Sequence, residues 1–173
     1  MKLYHITILL VVLLLGNLQA SAQHALGHEK DEVEAVLKQV DSFMETLTTN
    51  DIELRGSLQT PDGMNYVAVL RPDGSWRVIG RANSAFLNPP AADAPKTVEK
   101  YWDPVVFIRG PLAMVWNPFE FWVNDSTSHC GVNMMQLVKT DGTWKLANTI
   151  WTQEPPESCE SLRPTDLSEM RPN

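Results

Sequence analysis

The sequence predicts an α+β domain, with one long N-terminal helix and then an antiparallel sheet. Two observations carry this prediction. Apolar residues recur at helical spacing in only one long segment, Asp31 to Thr49. Beyond residue 64 the apolar period changes to two, and the runs are punctuated by Arg71-Pro72-Asp73-Gly74, Gly110-Pro111, Asn124-Asp125 and Asp141-Gly142. A helical stripe followed by a run of hairpins describes a sheet with helices segregated to one side.

The helix stripe is Val33, Val36, Leu37, Val40, Phe43, Met44 and Leu47. Glu29, Asp31, Glu32 and Glu34 place negative charge at its start, where the helix dipole favours it. Asn50-Asp51 stops the helix and caps a short second one through about Leu58. Pro61-Asp62-Gly63 reads as a turn. Asn65–Leu70 and Trp76–Arg81 read as a hairpin, and Ser84–Leu87 as a short helix ended by Asn88-Pro89-Pro90. Strands follow at Thr97–Arg109, Leu112–Val123, Ser128–Thr140 and Thr143–Gln153. Asp103-Pro104 bends the first of them, since proline cannot donate to a ladder.

Residues 1–22 read as a secretory signal peptide. Lys2 is the positive start, Ile6–Leu15 the apolar run, and Ala20-Ser21-Ala22 the cleavage site. The run is too short to span a bilayer, so no membrane attachment is expected after cleavage. The division is then 1–22 signal peptide, 23–30 linker, 31–154 folded domain and 155–173 a Pro-rich charged tail, loose except where Cys159 ties it down. Export implies a secreted or periplasmic location and an oxidising compartment, where Cys130 and Cys159 form the one intramolecular bridge available. The alternative is one buried thiol and one tail thiol.

The formal net charge of −7 argues against a nucleic-acid partner, whose affinity comes from phosphate neutralisation by Lys and Arg. Two cysteines cannot supply a four-cysteine zinc site or an iron–sulfur cluster. No phosphate-binding glycine loop or dinucleotide fingerprint is present, so no cofactor is expected. Asn124-Asp125-Ser126 matches a glycosylation sequon, which a bacterial source would make meaningless.

Several local motifs resemble the nuclear-transport-factor-2-like superfamily, and most closely its secreted bacterial, lumazine-binding-like or uncharacterised branch. They are Asp103-Pro104-Val105-Val106, Gly110-Pro111-Leu112-Ala113-Met114-Val115-Trp116, Pro118-Phe119-Glu120-Phe121, Ser128-His129-Cys130-Gly131-Val132-Asn133 and Gly142-Thr143-Trp144-Lys145-Leu146. The resemblance implies a cone-shaped, curved antiparallel sheet wrapped on the long helix and shorter helices, a fold shared with ketosteroid isomerase and polyketide cyclases. It implies no reaction, because this fold hosts enzymes and non-enzymes alike. The aspartate base and tyrosine-centred oxyanion hole of ketosteroid isomerase cannot be placed on this sequence by motif.

Two-residue loops at Asn124-Asp125 and Asp141-Gly142 fix a register on paper. Glu120 then faces His129, Trp116 faces Asn133, Met135 faces Asn148 and Asn133 faces Ile150. Met114, Trp116, Glu120, Trp122, His129, Asn133, Met135, Leu137, Trp144, Leu146, Asn148 and Ile150 fall on the inner face. The opposite face is also apolar, and only a second subunit or the tail is available to cover it; the expectation is a homodimer centred on Phe119, Phe121, Met134 and Trp151.

The inner face supplies the candidate chemistry. Glu120 and His129 form a candidate acid–base pair, or a structural pair that pins the hairpin. Trp116, Trp122, Asn133 and Asn148 form a candidate ligand-binding wall. One histidine and one glutamate leave a metal site short of ligands, so no metal is expected. The first functional reading is an exported domain holding a small, mostly apolar ligand in a conical pocket, without catalysis. The second is a cofactor-independent isomerase, cyclase or dehydratase using Glu120 and His129.

Overall fold

The computed structural model of the chain describes residues 29–91, 93–166 and 170–171. The signal-peptide reading lies outside the described residues, as does most of the linker. Residues 29–49 are helical (α1). The chain divides into two compact units, Met1–Ala35 and Val36–Asn173. The second unit carries the sheet.

Within this unit the α1 stripe behaves as its spacing predicts. Val36, Val40, Phe43 and Met44 are buried, and Leu37 and Leu47 pack beside them. Each such side chain contributes about 1.5–3 kcal/mol of burial. Asn50, at φ 56°, breaks the helix. Asp51 then caps α2 (Ile52–Ser57), its carboxylate accepting from the Leu54 N–H at 2.9 Å.

Seven strands follow: β1 Gln59–Leu70, β2 Trp76–Ala82, β3 Thr97–Tyr101, β4 Val105–Arg109, β5 Leu112–Val123, β6 Ser126–Thr140 and β7 Thr143–Gln153. A 3-10 helix at Asn83–Phe86 leads away from β2. The expected bend at Asp103-Pro104 separates β3 from β4, with Asp103 at φ 45°. The strands form one unclosed sheet in the order β2-β1-β7-β6-β5-β3, with β4 also pairing β5.

The sheet is mixed rather than purely antiparallel, because β1 runs parallel to β7. That pairing joins the first and last strands, a long-range contact that no local pattern encodes. Pro61-Asp62-Gly63 is part of β1, not a turn, and lies where the β1–β7 register shifts. Gly63 has no substitute here. A Cβ on it would fall 1.9 Å from the Ala147 carbonyl oxygen and 2.1 Å from Asn83 Nδ2.

Both hairpin turns have the geometry their sequences demand. Asn124 and Asp125 sit at φ 49° and 62°, and Asp141 and Gly142 at φ 51° and 78°. Val123 accordingly pairs with Ser126, and Leu137 with Leu146. Two bulges then move everything beyond them. Trp122 pairs with Thr127 but Phe121 with His129, leaving Ser128 as the extra residue. Leu137 pairs with Leu146 but Gln136 with Asn148, leaving Ala147 extra.

The bulges overturn part of the expected facing. Glu120 pairs with Cys130, Trp116 with Met134, Met135 with Thr149 and Asn133 with Trp151. Ala113, Val115 and Phe119 join Met135, Leu137, Trp144 and Leu146 in the core against α1. Phe119, Phe121 and Trp151 therefore turn inward and cannot centre a dimer interface; of that group Met134 alone stays outside, beside Trp116.

Residues 156–163 are not loose but built into the fold. A 3-10 helix at Pro156–Ser161 carries Cys159, which is disulfide-bonded to Cys130 with Cα atoms 5.5 Å apart. Glu154 and Cys130 exchange backbone hydrogen bonds of 2.8 and 3.2 Å. Buried Trp102 donates its indole N–H to the Leu162 carbonyl at 2.9 Å. This strap covers one end of the outer sheet face. At the other end Val105, Phe107, Leu112 and Trp116 stay exposed.

Candidate functional site

Between α1, α2 and the inner sheet face lies a cavity of about 280 Å³. This is just below the range of about 300–1,000 Å³ typical of small-molecule clefts. Its walls are mainly apolar, from Phe43, Met44 and Leu47 of α1, Phe86, and Phe119, Phe121, Met135 and Trp151 of the sheet. The polar lining is Arg55, Gln59, Asn65, Glu99, His129, Asn133, Thr149 and Gln153.

Glu99 is the central polar group. It sits in β3 opposite Phe121, which in turn pairs with His129 of β6, so these residues occupy one level across three strands. Only 7% of Glu99 is exposed. Its carboxyl accepts one hydrogen bond, from Asn133 Nδ2 at 2.8 Å. Burial pushes its pKa up to about 7, against the smaller opposing effect of the Asn133 bond. A carboxyl poised there can either donate or accept a proton near neutral pH.

Asn133 also reaches Asn117 Oδ1 across the β5–β6 ladder at 3.4 Å. The Asn117 amide nitrogen is fully buried and has no hydrogen-bond partner. His129 stacks on Phe121 with ring centroids 4.9 Å apart and meets Phe119 edge-on at 5.9 Å. Its Nδ1 lies 3.1 Å from Ser128 Oγ. Burial lowers its pKa, which favours the neutral ring.

The structure separates the residues predicted to act together. Glu120 is on the outer face, fully buried beneath the strap. Arg163 holds it from both sides, Nε to Oε2 at 2.6 Å and Nη2 to Oε1 at 2.5 Å, and Thr127 Oγ1 donates at 2.5 Å. Burial alone would raise the Glu120 pKa, but these bonds and the Arg163 charge lower it. The Glu120–His129 pair does not exist, because the Ser128 bulge turns the two side chains to opposite faces. Glu120 is a strap anchor.

Of the expected ligand wall, Asn133 lines the cavity. Trp116 and Trp122 alternate onto the outer face with Glu120, Trp116 being exposed and Trp122 lying under Lys100 Nζ. Asn148 accepts from the Met64 N–H at 2.9 Å and donates to Gln136 at 2.9 Å, so it joins β1 to the sheet. Glu99 and Arg55 were missed. Strict alternation through Thr97-Val98-Glu99-Lys100-Tyr101 does group Glu99 with buried Tyr101, and that was the available signal. Nothing in Ile52–Ser57 marks Arg55 as the buried member of its helix.

No family model and no curated protein sequence matches the chain. Solved structures do. A protein of unknown function from Mycobacterium tuberculosis superposes with a TM-score of 0.63 at 17% identity, covering 80% of each chain. An NTF2-like protein from Cytophaga hutchinsonii gives 0.54 at 15% identity, covering 69% of this chain and 96% of its own. The chain has the nuclear-transport-factor-2-like fold. A protein proposed to be a dehydratase of the NTF2-like family, from Streptomyces avermitilis, gives 0.55 at 19% identity, covering 72% of this chain and 97% of its own. Identities this low speak for the NTF2-like fold and not for a shared reaction.

Proposed function

We propose that this NTF2-like domain is exported and binds a small, mostly apolar molecule in the inner cavity, with one polar group of the ligand held by Glu99 and Asn133. The observation that carries the reading is a buried carboxyl with a single hydrogen bond, set in an apolar cavity of ligand size. The disulfide supports export, since such bonds persist in oxidising compartments. Native mass spectrometry of gently purified protein is expected to show a bound species of a few hundred daltons or less. Glu99→Leu, which keeps the bulk and removes both oxygens, is expected to lose it. Retention of the same species by a folded Glu99→Leu protein would defeat the reading.

A second reading is proton transfer by Glu99, favoured by its pKa of about 7 and by His129 in the same cavity. The dehydratase proposal for the Streptomyces avermitilis neighbour points the same way. A bound species released chemically altered would select this reading over simple binding.

We also propose self-association through the outer face, now carried by Phe107, Leu112, Trp116 and Met134. Phe107, Leu112 and Trp116 are exposed side by side on the β4–β5 hairpin. Sedimentation velocity at micromolar concentration is expected to give a dimer, and Trp116→Asp a monomer. A wild-type monomer would end this proposal.

A further inference from the structure

The cavity holds a positive charge that no carboxylate among the described residues pairs with directly. Arg55 lines it and is 8% exposed. Its guanidinium donates from Nε to Thr46 Oγ1 at 3.1 Å, from Nη1 to the Phe86 carbonyl at 3.2 Å, and from Nη2 to the Thr46 carbonyl. All three acceptors are neutral. One N–H on each terminal nitrogen is left without an acceptor among the described residues. The carbonyl contributed by the last turn of α1 offsets part of the charge through the helix dipole.

Among the described residues no carboxylate forms an ion pair with Arg55. Asp51 acts on it only at a distance, its own oxygen committed to the Leu54 N–H. Glu99 lines the same cavity, yet only burial and Asn133 act on it. A guanidinium cannot shed its proton, and a buried charge without a directly paired counter-ion is costly to hold.

From this arrangement we infer that the ligand is an organic monocarboxylate, its carboxylate on Arg55, its apolar body along the aromatic wall and an uncharged polar group at Glu99. The inference rests on the binding role proposed for this cavity and names the class of molecule it takes. A planar carboxylate offers two oxygens and a full negative charge to the two free N–H groups, where a hydroxyl offers one neutral oxygen. Hydrogen bonds between charged groups are about twice as strong as neutral ones, so the acid is selected over its neutral analogue.

The test compares two probes with one carbon skeleton, 3-phenylpropionate and 3-phenylpropan-1-ol, titrated calorimetrically into the whole mature protein at pH 6. The acid is expected to bind at least about tenfold more tightly than the alcohol. Arg55→Met is expected to abolish that preference, with the loss of affinity falling mainly on the acid. If Arg55→Met fails to fold, the wild-type comparison and the Arg55→Lys protein decide. Lysine keeps the charge and loses the fork, so part of the preference should survive. Equal binding of the two probes, or tighter binding of the alcohol, overturns the inference and leaves the cavity a binding site. Binding of neither probe at millimolar concentration overturns the binding role, and the inference falls with it.

Discussion

Glu99→Gln is expected to stabilise the protein at pH 8 and to change little at pH 5. The folded carboxyl titrates near pH 7, well above its ordinary value of 4.5, because burial disfavours its charged form. Between those two values the unfolded chain has released the proton and the folded chain still holds it. Stability therefore falls as pH rises through this window, and above pH 7 the full cost is present. A shift of this size is worth about 3 kcal/mol, of which about 2–3 kcal/mol develops between pH 5 and 8. Glutamine keeps the acceptor for Asn133 and removes the titration.

The other charged or titratable groups lining the cavity are Arg55 and His129. The pKa of His129 is lowered by burial, so its own contribution runs the opposite way and is lost as pH falls below about 6.5. Both groups are present in the wild type and the variant, so the difference between the two proteins isolates Glu99. Urea denaturation of both at pH 5, 6, 7 and 8 gives that difference directly. A difference that stays flat across this range would show that Glu99 is not held neutral by burial, and the second functional reading would lose its main support.

The sequence carried most of the fold because the fold is written in local signals. The α1 stripe, the Asp51 cap, the positive-φ turn pairs and the strands Leu112–Val123 and Thr143–Gln153 all follow from period or from turn chemistry. The site was less legible for a definite reason. Sheet facing depends on counting from a turn, and a single bulge reverses the count. Nothing in Thr127-Ser128-His129 marks Ser128 as the extra residue, yet that residue moves Glu120 from the cavity to the strap. His129 and Asn133 share the inner face with Met135 and Leu137, as expected, because the alternation along β6 from His129 to Leu137 is unbroken. The parallel β1–β7 pairing and the burial of Arg55 are tertiary facts, fixed by contacts between segments far apart in the chain. Cys130–Cys159 was legible because two cysteines allow only one intramolecular bridge.

Removing the Cys130–Cys159 bond is expected to have the largest effect on stability. The bond closes a loop with a sequence separation of 29, worth about 3–4 kcal/mol in the chain-entropy model. In a domain of this size that corresponds to a loss of roughly 10–20 °C in melting temperature, for the reduced protein or for a Cys130→Ala/Cys159→Ala chain. The consequence extends beyond loop entropy, because the bond fastens the strap that brings Arg163 onto buried Glu120. With the strap closed, Arg163→Met strands a buried carboxylate. With the strap free to open, Glu120 reaches water and the same substitution costs little. The two changes are therefore expected to be strongly non-additive in a double-mutant cycle. The pH dependence should follow. The Glu120 pKa is depressed when folded, so its contribution is present above the ordinary carboxyl value and lost as pH falls through the folded one. The bonded protein should then lose stability toward acid more steeply than the Cys130→Ala/Cys159→Ala chain. Equal melting temperatures with and without reductant, or additive costs for Arg163→Met and cysteine removal, would show that the strap is not what holds Arg163 in place.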